Sequence, residues 1–456
     1  MTGSKAVKNN NVNMTEGPLW NKILVYFIPL LLTTIMQRIL HAMDIAVIGR
    51  YASESDLAAV SASGSVVTLT AGIISGLSIG AVVVVGQLIG SKKDKTAKKA
   101  IHNSIFIGFT GGVIIALLGV LFTQPILRYT YTPEDILDKA SLYLIMRFIA
   151  VPFELTTVYA STIARSKGDS KSPLICSVLA AILNLLLNII FVAYFKWNVF
   201  GVAFATLISL FVNTVTILFC LSKKGDPYQF SFGELKPDKY IIYKIVMIGV
   251  PTALQSIMTP LSNTFIQSAY NRLGTEAMAA NAIGSTCESL AFCITAAFTA
   301  TTIAFVSQNY GAKKLDRCKK TLIITILFST VFTYLLDALI LIFRHYVIGF
   351  MTDNPTVLAY ATERLIYVYA AHFPLIVIDQ LTSTLRGFGK TMVSSVIYMI
   401  GLCGLRILWV VTVFNYFKTY TSLIIVYPIT FIITAIAMSI AYFYIYRGIK
   451  KNEALR

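Results

Sequence analysis

The sequence predicts an all-α membrane protein with about twelve transmembrane helices, arranged as two six-helix lobes related by a parallel repeat. Three observations carry that expectation. The 456-residue chain is 56% hydrophobic and only 13% charged, with a mean hydropathy of +0.73, far from the balance of a water-soluble domain. Apolar stretches long enough to cross a hydrocarbon core of about 30 Å recur along the whole chain. The second half repeats landmarks of the first at a nearly constant offset.

Taken in order, residues 1–20 are polar and read as a cytoplasmic N-terminal tail, and the first apolar run is too long for the core of a cleaved signal. Spans are expected at 22–49, 58–89, 101–127, 140–164, 174–195 and 199–221, which form an N-terminal lobe over 21–221. The polar stretch 222–240 is expected to be a cytoplasmic linker. Further spans at 241–271, 277–306, 321–349, 358–384, 392–415 and 421–446 form a C-terminal lobe over 241–447, and 448–456 closes the chain as a second cytoplasmic tail.

The repeat is visible in GQLIGSKKDKTAKK and SQNYGAKKLDRCKK, where Gln87 and Gln308 stand 308 − 87 = 221 positions apart. Pro29 pairs with Pro251, Gly64 with Gly284, Pro152 with Pro374 and Ser161 with Ser383 at nearly the same offset. Six spans per copy bring both copies into the membrane in the same direction, so the repeat is parallel and not inverted. Two such bundles suit alternating access to a shared site; the bland counterpart is a duplicated static scaffold.

The net charge of +17 would suggest nucleic acid as a partner of a soluble protein, but here Lys and Arg cluster in alternate short loops between spans. That is the positive-inside pattern, and it predicts both termini in the cytoplasm of a multi-pass cell-membrane (inner-membrane) protein that touches lipid and not nucleic acid. The six cysteines form no CxxC pair and read as reduced packing residues.

In the first span, NKILVYFIPLLLTTIMQRILHAMDIAVIGR, Pro29 offers a bending point and Asp44 lies fifteen positions further on, still followed by apolar residues. A carboxyl group at that depth is costly unless it faces a cavity, a partner or a proton; the alternative is simple solvation at the headgroups. Gln37 and His41 precede Asp44 at helical spacing and make a polar stripe with it.

The opening MTEGPLWNKILVYFIPLLL with MDIAVIGRYASESDLAAVSASGS, the loop SQNYGAKKLDRCKK, and LRGFGKTMVSSVIYMIGLCGLRILWV resemble the multidrug and toxic compound extrusion (MATE) family over residues 14–450. The resemblance implies a V-shaped pair of six-helix lobes exporting organic cations or drugs in exchange for protons or sodium ions. It implies a coupling-ion site at Asp44 and a bending proline at Pro29. On the fifth helix the family often has an asparagine and then an aspartate one turn later; this chain has Asn184 and then Asn188, one carboxylate fewer.

Glu154, two residues after Pro152, is expected to make up some of that lost charge, where the helix would open at the proline. Asn184, Asn188, Thr156 and Tyr159 are its candidate neutral companions, against ordinary interhelical hydrogen bonding as the alternative. A sodium ion needs several oxygen ligands and a proton only a carboxylate, so H⁺ and Na⁺ both stay open as the coupling ion. No resident metal or cofactor is expected beyond sodium at those residues.

In the C-terminal lobe, Glu288 and Asp379 are candidate substrate-cavity residues along with Gln37 and His41. A Glu288–Arg406 ion pair is the favoured structural reading of Glu288, Asp337 is placed near a lipid or loop boundary, and Arg38 is expected to find an acid on a neighbouring helix. Gly72, Gly76 and Gly80 at four-residue spacing predict close helix contact. The expected function is therefore secondary active efflux of cationic or amphipathic compounds by a monomer, with a flippase for lipid-linked saccharide or an exporter of an unknown metabolite as alternatives. No HExxH or GxxxxGK[ST] motif occurs, which argues against a zinc-dependent enzyme and against direct use of ATP.

Overall fold

The computed structural model describes residues 12–454 apart from Lys224; the side chains of His41, Glu453 and Ala454 and most of the expected N-terminal tail lie outside the described set. Among the described residues the chain is helical, and eleven helices are long and apolar enough to cross a membrane, with a bent pair making a twelfth. They are α1 (Leu19–Tyr51), α2 (Glu54–Gly90), α3 (Asp94–Tyr129), α4 (Glu134–Ser166), α5 (Lys171–Tyr194) and α6 (Asn198–Leu221). After the 222–240 segment come α7 (Lys239–Asn271), α8 (Thr275–Gly311), α9 (Leu315–Ile342), the bent α10 (Pro355–Ala370 with His372–Gly387), α11 (Thr391–Phe417) and α12 (Tyr420–Asn452). Large apolar side chains such as Leu117, Leu121, Phe219 and Leu335 stand exposed along these helices, as lipid-facing surfaces require.

The chain resolves into two compact units. Among the described residues, unit 1 contains 12–14 and 24–253, and unit 2 contains Thr15–Ile23 and 254–454. The helices start and stop for local reasons. At the head of α2, the Ser53 hydroxyl accepts from the Asp56 amide while the Asp56 carboxylate accepts from the Ser53 amide, a capping box. Asp56 is then held by Lys139 at 2.8 Å. The loops also carry the repeat in their backbone: left-handed residues recur at Lys92 and Lys313 (313 − 92 = 221), at Gly168 and Gly389 (221), and at Lys196 and Lys418 (222).

The paired prolines behave differently in the two units. α4 runs through Pro152 without a break, and the Pro152 carbonyl is taken by the Thr156 hydroxyl at 2.6 Å. The helix therefore does not open before Glu154. In α10 the helix does break, bending by 48° at Ala371 ahead of Pro374. The Tyr334 hydroxyl of α9 repairs the gap, donating to the Ala370 carbonyl (3.3 Å) and accepting from the Phe373 amide (3.2 Å), so the backbone groups freed by the break stay paired. α1 passes uninterrupted through Pro29, whose carbonyl accepts from Thr33.

Two further features position the polar residues. Gly76 and Gly80 of α2 let α7 approach so closely that a Cβ on either would overlap the backbone of Ala253 or Ile245. In α5 and α11 the α-helix gives way to π-helical turns, at Ile189–Tyr194 and at Met399–Gly404 and Val410–Phe414. These wider turns flank Asn188 in one unit and Arg406 in the other.

The 222–240 segment is tied to unit 1 by polar contacts. Lys98 pairs with Glu234 (2.7 Å), Tyr228 donates to Asp94 (2.6 Å), the Ser231 amide donates to His102 Nε2 (3.0 Å) and the Asp238 amide to Asn103 (2.7 Å). Lys167 and Asp226 form a further ion pair.

Candidate functional site

In unit 1 the polar groups converge where α1, α5 and α6 meet. Asn184 and Asn188 are one turn apart on α5, so both amides lie on the same helix face. The Asn188 Nδ2 donates to Asp44 Oδ1 at 2.6 Å and to Asn184 Oδ1 at 3.1 Å; Asn184 Nδ2 in turn reaches Thr206 Oγ1 of α6 at 3.4 Å. Both asparagines are buried and Asp44 is half-buried. The structure thus brings Asp44, Asn184 and Asn188 together. The Oδ1 of Asn188 is buried with no partner among the described residues, so the chain of hydrogen bonds has one unused acceptor beside the carboxylate.

Glu154 does not join them. It pairs with Arg147, two turns earlier on α4, at 3.6 Å. Arg147 lies within Coulombic reach of both Glu154 and Asp44, one positive charge shared by two carboxyl groups. Thr156 is spent on the Pro152 carbonyl and Tyr159 on the Leu77 carbonyl (3.1 Å), so neither is a companion of Glu154. Sequence reasoning missed Arg147, although a lone arginine in an apolar span (LIMRFIAV) is itself a signal. Gln37 is exposed on α1, and the His41 side chain lies outside the described residues. Arg38 is exposed and has no acid within ion-pair distance among the described residues, contrary to the expected pairing.

Unit 2 contains a cavity of about 320 Å³ lined by α7, α8, α10, α11 and α12. Glu288 is at its wall, yet its partner is Arg364 and not Arg406. Arg364 Nε and Nη2 donate to the two Glu288 carboxylate oxygens at 2.9 and 3.0 Å, and Nη1 serves Asn281 and, at 3.1 Å, the Tyr270 hydroxyl. Both charges are buried, and the two-pronged geometry satisfies the carboxylate within the protein. Gly284 makes room: a Cβ there would lie 2.6 Å from Arg364 Cδ.

The other expectations for this lobe also change. Asp337 is buried rather than at a boundary, with its Oδ2 2.6 Å from His372 Nδ1 at the α10 break. Arg406 rests over the rings of Tyr427 (4.7 Å) and Phe431 (5.2 Å). Asp379 is half-buried on α10 and does not line the cavity; its electrostatic neighbours are Arg386 and His372. Among the described candidates Gln37, Glu288 and Asp379, only Glu288 lines this cavity, and it is already paired.

The MatE family profile matches residues 29–190 and again 251–412, a spacing of 251 − 29 = 222 between copies. The chain is 26% identical over 402 residues to the probable multidrug resistance protein YoeA of Bacillus subtilis, covering 86% of each chain. It is 26% identical over 387 residues to the FAD transporter of Shewanella oneidensis, covering 84% of this chain and 85% of that one. Among solved structures it superposes on a MOP superfamily transporter from Pyrococcus furiosus with a TM-score of 0.89 at 18% identity, covering 97% and 99% of the two chains. It superposes on the bent form of the Vibrio cholerae MATE transporter VcmN with a TM-score of 0.87 at 23% identity, covering 94% and 97%. At these identities the structural likeness shows the fold.

Proposed function

The chain belongs to the MatE family of multi-pass membrane transporters, and from that premise we propose that it exports cationic or amphipathic organic compounds in exchange for protons, with Asp44 as the proton carrier. The supporting observation is the Asp44–Asn188–Asn184 chain in unit 1. Asn188 donates to one carboxylate oxygen and fixes the rotamer, which leaves the second oxygen to take up and release a proton. Arg147 stands within Coulombic reach of Asp44 and offers an opposite charge to its ionised form. Proton and cationic substrate then compete for the same carboxyl group: a neutral Asp44 has no claim on a cationic substrate, and an ionised one attracts it. Both termini face the cytoplasm in this reading, which the Lys- and Arg-rich alternate loops support.

A sodium-coupled reading is favoured by one feature, the unused Asn188 Oδ1. Rotating that amide by half a turn would point its oxygen toward Asp44 beside the oxygens of Asn184 and Thr206, a hard-ligand set for Na⁺. Efflux of ethidium from proteoliposomes under an imposed pH gradient or an imposed sodium gradient separates the two. Efflux driven by the pH gradient alone supports proton coupling, efflux driven by sodium alone supports the rotated amide, and response to neither contradicts both. The similarity to an FAD transporter makes metabolite export the reading to turn to in that last case.

A further inference from the structure

The unit 2 cavity carries a charge that no acid among the described residues pairs with. Arg406 is only 7% exposed, yet among the described residues it has no ion pair and no hydrogen bond; its contacts are the faces of Tyr427 and Phe431, and its Nε is buried without a partner. The acid in the wall, Glu288, has both oxygens occupied by Arg364. Asp337 is turned to His372, and neither it nor Asp379 lines the cavity. Across the lining residues the Glu288 and Arg364 charges cancel and Arg406 remains, one positive charge in excess.

A buried guanidinium without a counter-ion is expensive, so its retention in a cavity implies an anion from outside. The second unpartnered polar atom in the lining is Ser262 Oγ, a hydroxyl able to donate alongside the guanidinium. Around these donors stand Phe292, Tyr398, Tyr427 and Phe431, which offer ring faces and edges to a flat molecule. A volume of about 320 Å³ is in the range of small-molecule sites, about 300–1,000 Å³.

We propose that this cavity is a second ligand site, opposite in polarity to Asp44, which binds a planar aromatic anion by pairing its carboxylate, phosphate or sulfonate group with Arg406 and Ser262. It stands apart from the coupling scheme at Asp44, and binding, not transport, reads it out.

The test uses the full-length chain in detergent micelles with two flat dyes of opposite charge, fluorescein and ethidium, followed by fluorescence anisotropy. Fluorescein should bind saturably, and Arg406→Gln should weaken it at least tenfold while leaving ethidium binding unchanged. Arg406→Lys, which keeps the charge and loses the flat stacking surface, should fall between. Asn263 is exposed at the cavity wall, so Asn263→Trp fills the space without disturbing the buried network and should abolish fluorescein binding; this variant decides the matter if Arg406→Gln does not fold. The proposal is overturned if fluorescein does not saturate, if a folded Arg406→Gln binds it as the wild type does, or if Arg406→Gln weakens both dyes alike.

Discussion

Arg364 and Glu288 show what a buried charge demands of its surroundings. Two parallel hydrogen bonds, an asparagine, a tyrosine hydroxyl and the space left by Gly284 are all spent on one guanidinium. Removing one partner leaves the other charge buried and alone, at a cost of about 3–5 kcal/mol. Arg364→Met should therefore lower the thermal unfolding temperature sharply, whereas Glu288→Leu combined with Arg364→Met should recover most of the loss. If the double variant unfolds as early as the single one, the pair is not the unit of stability described here. Asn188 acts on a smaller scale. Asn188→Ala removes a hydrogen bond to a charged group, worth about 1.5–3 kcal/mol locally, and should slow ethidium efflux by changing the Asp44 rotamer without changing the amount of folded protein.

At the scale of elements, the α10 break is supported by Tyr334, which partners two backbone groups there, the Ala370 carbonyl and the Phe373 amide. Tyr334→Phe should accelerate amide hydrogen exchange at Phe373 and residues beside it, by a factor matching about 1 kcal/mol, and leave exchange in α4 unchanged. Equal exchange at the break in both proteins would remove that role. The 222–240 segment gives a pH-dependent case. The hydrogen bond from Lys98 holds the Glu234 carboxyl below its ordinary value of 4.5. A carboxyl lowered on folding contributes to docking of the segment above its unfolded value, and the contribution is lost as pH falls through the folded one. Exchange protection at 231–237 should therefore drop on acidification in the wild type, and Lys98→Met should already show the acid level at neutral pH.

At the scale of the whole molecule, the two units share a backbone plan without sharing a polar site. With the offset of 222, Asp44 corresponds to Ile266 and Arg364 to Leu142, and with the local offset of 284 − 64 = 220, Glu288 corresponds to Thr68. The plan was legible in the sequence. Span lengths, the parallel repeat and close contact at Gly76 and Gly80 depend on hydropathy and residue size, which can be read along one dimension. The polar partners were not: Asn184 and Asn188 read as companions of Glu154, and the fold sets them beside Asp44 instead. Which arginine serves which acid was not legible: Arg364 and Arg406 sit at similar depths, and only the helix rotations decide that Glu288 faces the first. The π-helical turns of α5 and α11, beside Asn188 and Arg406, have no compositional signature either. Pro152 and Pro374 match in sequence, yet only the second breaks its helix, because packing and side-chain rescue differ around them.

Proton release on substrate binding tests the role of Asp44 most directly. Ethidium is added to the purified chain in weakly buffered detergent solution and the proton count is read with a pH dye. If Asp44 carries the coupling proton, the wild type releases protons in step with ethidium binding and Asp44→Asn releases none while remaining folded. Undiminished release from Asp44→Asn would place the coupling proton elsewhere and contradict the mechanism.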